Sequence, residues 1–169
     1  VLVRELVIKG ETVRAVALPG EDTSMIEQER VEILHGDIRD REFVVRACEG
    51  IDTVYHLAAL ISIMPNMKKK VRSVNVGGTE NVIHACKVQR VGRMVYTSSI
   101  HAFTELEPGS MIDENVPFNP ARNSGVYGKS KAEAVLSVLT AAREGLDAVV
   151  LCPTGIIGPF DYKLSEMGN

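Results

Sequence analysis

IDTVYHLAA (51–59) and GRMVYTSS (92–99), with the long stretch 68–90 between them, decide the fold. Both short runs are rich in β-branched and aromatic residues, so each reads as a strand. IDTVYHLAA carries an apolar core suited to burial on both faces, as strands of parallel sheets do. Residues 68–90 read as a helix, so the unit is strand, helix, strand.

The same alternation extends outward in both directions. VLVRELVIK (1–9) reads as the end of a mostly buried helix stopped by Gly10. TVRAVAL (12–18), bounded by Pro19-Gly20, and VEILHGD (31–37) are two further strands. Asp40 caps a helix that runs through Cys48 and ends at Gly50. After the 92–99 strand, the segment 100–123 with Pro108, Pro117 and Pro120 is loop. A helix then begins near Ser124, runs to about Glu144 and closes at Gly145. LDAVVLCP (146–153) is the fifth strand, and TGIIGPFDY (154–162) is loop again.

Apolar strands alternating with helices predict an α/β fold, a parallel sheet covered by helices on both faces. Ligands of such sheets bind beyond the carboxyl ends of the strands. That rule selects Asp37-Ile38, Leu57-Ala58-Ala59, Thr97-Ser98-Ser99 and Pro153-Thr154-Gly155.

The bulk composition narrows the function classes. The chain has 169 residues, 45% hydrophobic and 24% charged, with a formal net charge of −3. This is the size of one domain, and its mild acidity gives no reason to expect nucleic acid or an anionic membrane as partner. The only basic cluster, Lys68-Lys69-Lys70 with Arg72, reads as a solvated face. The longest apolar run, Leu57 to Met64, is far short of the ~20 residues of a membrane helix. Cys48, Cys86 and Cys152 form no CxxC and read as buried thiols of a reducing, cytoplasmic compartment. No cluster has metal-ligand spacing, so no metal is expected. The chain opens at Val1 within a helical pattern and reads as an excerpt.

Tyr127 and Lys131, in YGKSK (127–131), stand four apart where the last helix begins, so they face the same way. A phenol with an ordinary pKa near 10 is a poor base at neutral pH, and a neighbouring ammonium favours the phenolate. Tyr127 could then exchange a proton with a substrate hydroxyl or carbonyl. Ser99, at its strand end, could hold the same oxygen. This is the proton relay that hydride transfer to a nicotinamide requires of the protein. His56 reads as a satisfied core histidine. His101, two residues past Ser99, is the tentative substrate contact.

In these residues and their order the chain resembles the extended short-chain dehydrogenase/reductase family, the NAD(P)-dependent epimerase/dehydratase and dihydroflavonol-reductase-like group. The matching motifs run in family order: GDIRD (36–40), VYHLAA (54–59), NVGGTENVIHAC (75–86), VYTSS (95–99), YGKSK (127–131) and PTGIIGP (153–159). The resemblance implies a doubly wound, NAD(P)-binding Rossmann-type domain over residues 1–169. It implies Ser99, Tyr127 and Lys131 as catalytic trio, with Lys131 also orienting the nicotinamide ribose. It matches Asp37 and Ile38 to adenine contacts, and Leu57, Ala58 and Ala59 to the pyrophosphate and ribose lining. Asn75 matches a residue beside the nicotinamide, and Pro153, Thr154 and Ile156 match the turn against its carboxamide. Homodimerisation through the helices near 68–90 and 124–144 follows from the same resemblance.

The departures bear equally on function. The family's first strand and GxxGxxG loop would precede Val1, and its variable substrate region would follow Asn169, so the domain is expected to be incomplete at both ends. Such an excerpt is expected to fold poorly and to be inactive alone. In the family that first strand lies between those at 12–18 and 51–59. The positions that choose between NAD and NADP hold Ala17 and Leu18, neither acidic nor basic, which leaves the cofactor open. Arg14 and Arg39 are the nearby cations that could favour a phosphate. Ile100 and His101 stand where sugar 4,6-dehydratases carry Asp-Glu. EGLDAVVLCPTGIIGP (144–159) looks closest to the dihydroflavonol-reductase-like branch, so a small-molecule reductase/dehydrogenase is favoured over a nucleotide-sugar epimerase or a non-catalytic dinucleotide sensor.

Overall fold

The computed structural model describes residues 1–27, 30–62, 64–107, 109–123 and 125–159. They form two compact units, Val1–Asp37 together with the stretch from Gly155, and Ile38–Thr154. The helix start expected at Ser124 falls outside the described residues, as does the stretch beyond Pro159.

In the first unit, α1 (Leu2–Ile8) leads into β1 (Val13–Ala17), which pairs in parallel with β2 (Val31–His35). Gly10 ends α1 as expected, at φ +87°, a left-handed conformation that glycine adopts without strain. The expected burial of α1 is not seen, since none of its residues is buried and Ile8 is 77% exposed. An apolar helical face records the capacity to be covered, and within this unit α1 packs on β1.

The second unit holds α2 (Arg41–Ala47), β3 (Thr53–His56), α3 (Lys68–Arg72), α4 (Thr79–Gln89), β4 (Arg93–Thr97), α5 (Val126–Arg143) and β5 (Ala148–Leu151). Asp40 caps α2, its carboxylate accepting the Phe43 N–H at 3.0 Å. The helix read over 68–90 is interrupted by a π turn at Ser73–Gly78, an insertion that often marks a functional site. The three strands run parallel in the order β3-β4-β5, with Val54 beside Met94 and Tyr96 beside both His56 and Val150.

The core of this unit lies between the sheet and the helices α4 and α5. Met94 and Tyr96 project into it from β4, against Val82 and Cys86 of α4 and Ala132, Val135 and Val138 of α5. The double burial expected for 51–59 does not occur. Tyr55 is 40% exposed and its same-face neighbour Val149 on β5 is 41% exposed, because the core of this unit gathers on the face of the sheet that bears Met94 and Tyr96. Cys48 and Cys86, remote in sequence, meet in the core, where the Cys48 thiol and burial push the Cys86 thiol up. Cys152 is only half-buried, contrary to the reading of three buried thiols. None of the helices among the described residues is long and apolar enough to cross a membrane.

Candidate active site

The carboxyl ends of β3, β4 and β5 bring most of the selected residues together. β4 ends at Thr97, and Ser99 opens a 3-10 turn at Ile100–Ala102, its hydroxyl oxygen accepting the His101 N–H at 3.2 Å. The turn after β5 is tied to the turn after β4: the Ile100 N–H donates to the Pro153 carbonyl at 3.0 Å, and the Ser98 N–H to that of Leu151 at 2.7 Å.

Helix α5 begins beside this turn. A side-chain carbon on Gly128 would lie 2.8 Å from the His101 carbonyl oxygen, so only glycine permits the approach. Asn123 holds the other side, its buried amide donating to the carbonyls of His101 at 2.8 Å and Phe103 at 2.9 Å. As a result Tyr127 sits beside the turn headed by Ser99, whose hydroxyl acts on its phenol. The His101 ring meets the Tyr127 ring edge-on, with centroids 6.3 Å apart. Burial raises the Tyr127 phenol above its ordinary value, and the Ser99 hydroxyl pulls it back down.

Lys131, one turn further along α5, is 2% exposed. Its ammonium donates to the Thr97 carbonyl at 2.8 Å and lies 4.6 Å from the centre of the Tyr96 ring. Burial pushes its pKa down to about 8, with the Cys152 thiol acting the other way. The same burial raises the Cys152 thiol.

Asn75 sits in the π turn and is 1% exposed. Its amide oxygen accepts the Leu60 N–H at 2.7 Å, and its nitrogen donates to the Leu60 carbonyl at 3.0 Å and the Ser130 hydroxyl oxygen at 2.9 Å. Ser130 in turn donates to the Tyr127 carbonyl at 2.7 Å. Asn75 therefore straps the loop after β3 to the start of α5. That loop leaves Leu57, Ala58 and Ala59 exposed. Beneath it, buried His56 bonds to Thr79 at 2.9 Å, as a satisfied core histidine does.

The remaining selected residues belong to both units. Ile38 packs on the core of the second unit and against Gly78, where a side chain has no room. Asp37 and Ile156 belong to the first unit, and Ile156 is 72% exposed. In that unit Arg14 forms a 2.6 Å ion pair with Glu32, so it is already engaged. Among the described residues no three His, Cys, Asp or Glu side chains gather as metal ligands would.

A sequence model of the 3-beta hydroxysteroid dehydrogenase/isomerase family matches residues 1–168. The chain belongs to this family. Within the extended short-chain dehydrogenase/reductase group, it is 34% identical over 168 residues to the sterol demethylase protein B of Methylococcus capsulatus, covering 99% of this chain and 51% of that protein. It is 35% identical over 144 residues to a 3 beta-hydroxysteroid dehydrogenase/Delta 5→4-isomerase of Mycobacterium tuberculosis, covering 80% and 38%. The UDP-glucose 4-epimerase of Thermus thermophilus, crystallised with NAD, matches with a TM-score of 0.83 at 25% identity, over 99% of this chain and 55% of that one. The chain thus spans about half the length, or less, of the curated relatives it matches. Its fold is the parallel-sheet α/β, Rossmann-type fold of these neighbours.

Several residues shaping this 3-beta hydroxysteroid dehydrogenase/isomerase family site escaped the sequence reading. They are Tyr96, Thr79, Ser130, Asn123 and the carbonyl of Thr97. Ser130 and Asn123 flank Tyr127 closely enough to have been flagged. Tyr96 and the Thr97 carbonyl act through the packing of β4 against α5, and Thr79 through that of α4 against β3, which sequence spacing does not encode.

Proposed function

We propose that this chain is the dinucleotide-binding part of an NAD(P)-dependent oxidoreductase acting on a carbonyl or hydroxyl of a small-molecule substrate. The observation that carries the reading is the gathering of Ser99, Tyr127 and Lys131 at the carboxyl edge of β3-β4-β5, where Lys131 donates to the Thr97 carbonyl and Tyr127 meets the His101 ring of the turn headed by Ser99. A bound nicotinamide supplies or accepts the hydride. The residues present fit such a group: the backbone at Leu57, Ala58 and Ala59 is open, and the methyl side chains at 58 and 59 let a flat ligand approach it. Within the second unit Lys131, Pro153 and Thr154 would hold the nicotinamide end, with Asn75 supporting it, and Ile38 would meet the adenine end.

Tyr127 would carry the proton at its phenol oxygen, and Ser99 would hold the substrate oxygen through its hydroxyl. With Tyr127 kept protonated by burial, carbonyl reduction can begin without a prior proton loss. Alcohol oxidation instead needs the phenolate, which the Lys131 ammonium favours once it stands beside the phenol.

The names of the family and of two relatives make a 3β-hydroxysterol the first substrate to try. The test offers the full-length protein a 3β-hydroxysterol with NAD or NADP, and a panel of ketones with the reduced cofactors. Net change of nicotinamide absorbance supports the oxidoreductase. Conversion of a nucleotide sugar with no net cofactor change would instead favour an epimerase, and no conversion of any substrate would favour a dinucleotide sensor. We propose further a cytoplasmic homodimer through α4 and α5, whose outer groove of about 350 Å³ is lined by Ile83, Leu136 and Thr140.

A further inference from the structure

Lys131 is an unusual ammonium for the inside of a protein. It is 2% exposed, and among the described residues it has one hydrogen-bond acceptor, the Thr97 carbonyl at 2.8 Å. A buried cation without a paired anion is costly unless something else stabilises it. The groups facing it are the Thr97 carbonyl and Tyr96 ring from β4, His56 from β3 and the Cys152 thiol beyond β5, while Tyr127 lies one turn earlier on α5. The π turn packed on α5 contributes the neutral Asn75 and, at its end, Thr79 leads into α4. None of these is a carboxylate.

What remains is the aromatic face. The Lys131 nitrogen lies 4.6 Å from the centre of the Tyr96 ring, inside the range over which a ring face attracts a cation. The Tyr96 ring is itself 1% exposed and held in place. His56 stacks on it with centroids 5.3 Å apart and planes 25° apart. The Thr79 hydroxyl gives its proton to the Asn75 carbonyl at 2.7 Å, so His56 must donate its Nε2–H to the Thr79 oxygen at 2.9 Å. Burial and the Lys131 charge hold His56 neutral, so it does not add a second cation beside Lys131.

We propose that Tyr96 is a positioning residue: its ring face seats the Lys131 ammonium at the end of β4 and keeps it charged for Tyr127. This deepens the oxidoreductase reading and rests on Lys131 acting on Tyr127. The hydroxyl of Tyr96 plays no part in the seat; the electrons of its ring do.

The test separates ring electronics from ring shape. Lysine carrying 13C at Cε is incorporated into the full-length protein, and the Lys131 signal is assigned by its loss in Lys131→Met. Its titration is followed in the wild type, in Tyr96→Phe and in Tyr96→pentafluorophenylalanine. The fluorinated ring has nearly the same shape but a face that repels cations. The Phe variant should titrate close to the wild type, and the fluorinated variant about one pH unit lower. Identical midpoints in the two variants would overturn the proposal, because a purely structural ring would not distinguish them. The pH profile of hydride transfer should move with the NMR midpoint. If the protein transfers no hydride at all, the oxidoreductase reading falls, while the NMR titration still decides whether Tyr96 seats the charge.

Discussion

Asn75 and Leu60 hold each other through two reciprocal hydrogen bonds, from Leu60 N–H to the amide oxygen at 2.7 Å and from the amide nitrogen to the Leu60 carbonyl at 3.0 Å. The same nitrogen reaches Ser130, so one side chain couples the loop after β3 to the helix carrying Tyr127 and Lys131. Asn75→Ala strands these buried partners, at a cost of about 1–3 kcal/mol. Because the freed loop bears Leu57–Ala59, cofactor affinity should fall as well. Chemical unfolding and cofactor titration of the variant check both effects, and unchanged affinity would separate Asn75 from the cofactor loop.

Tyr127→Phe removes the proton while keeping the ring that packs against His101. Turnover should drop about 10²–10⁴-fold, the usual worth of a positioned general acid. Cofactor affinity should change little. Steady-state rates and cofactor binding on the same preparation give the comparison, and full activity in the variant would remove Tyr127 from the proton path.

His56 supplies a pH signature of stability. Burial, with the Lys131 charge, pushes its pKa down to about 3 from an ordinary value near 6.5. The unfolded chain then binds a proton that the folded chain refuses across that window. The stability held above pH 6.5 is accordingly lost as pH falls toward 3. Urea unfolding at pH 7 and pH 4 should show His56→Gln losing less stability on acidification than the wild type. Equal losses in the two proteins would mean that His56 titrates normally.

Gly128→Ala places a carbon 2.8 Å from the His101 carbonyl oxygen, and that backbone, held by the Asn123 amide, leaves little room to adjust. A penalty of about 1–3 kcal/mol is expected, typical of overpacking. Since α5 must shift away from the turn headed by Ser99, turnover should fall more than cofactor affinity. Thermal unfolding beside kinetics reads both, and a variant as stable and active as the wild type would refute this close approach.

Much of the fold was legible because its signals are local. β-branched runs marked all five strands, and Asp40, Gly10 and Gly145 marked helix ends. The π turn was not legible, because one extra residue in a helical turn hardly disturbs the pattern of Val74, Val76 and Val82. Nor was the burial of α1 or of Tyr55, since patterning states which face can be covered and not what covers it. The expected sheet is divided into β1-β2 and β3-β4-β5, with no ladder joining the two sets among the described residues. At the site, residue types and spacing singled out Ser99, Tyr127 and Lys131 as candidates. The seat of Lys131 on Thr97 and Tyr96 was beyond reach, because it depends on the register of β4 against a helix some 30 residues later.

These residues are proposed to serve a bound nicotinamide dinucleotide. The most direct measurement titrates the full-length protein separately with NADH and NADPH, following the fluorescence of the reduced nicotinamide. Saturable binding of at least one, weakened by Asn75→Ala and retained by Tyr127→Phe, is the predicted result. The tighter of the two would assign the preference that Ala17 and Leu18 leave open. A folded protein that binds neither would contradict the account.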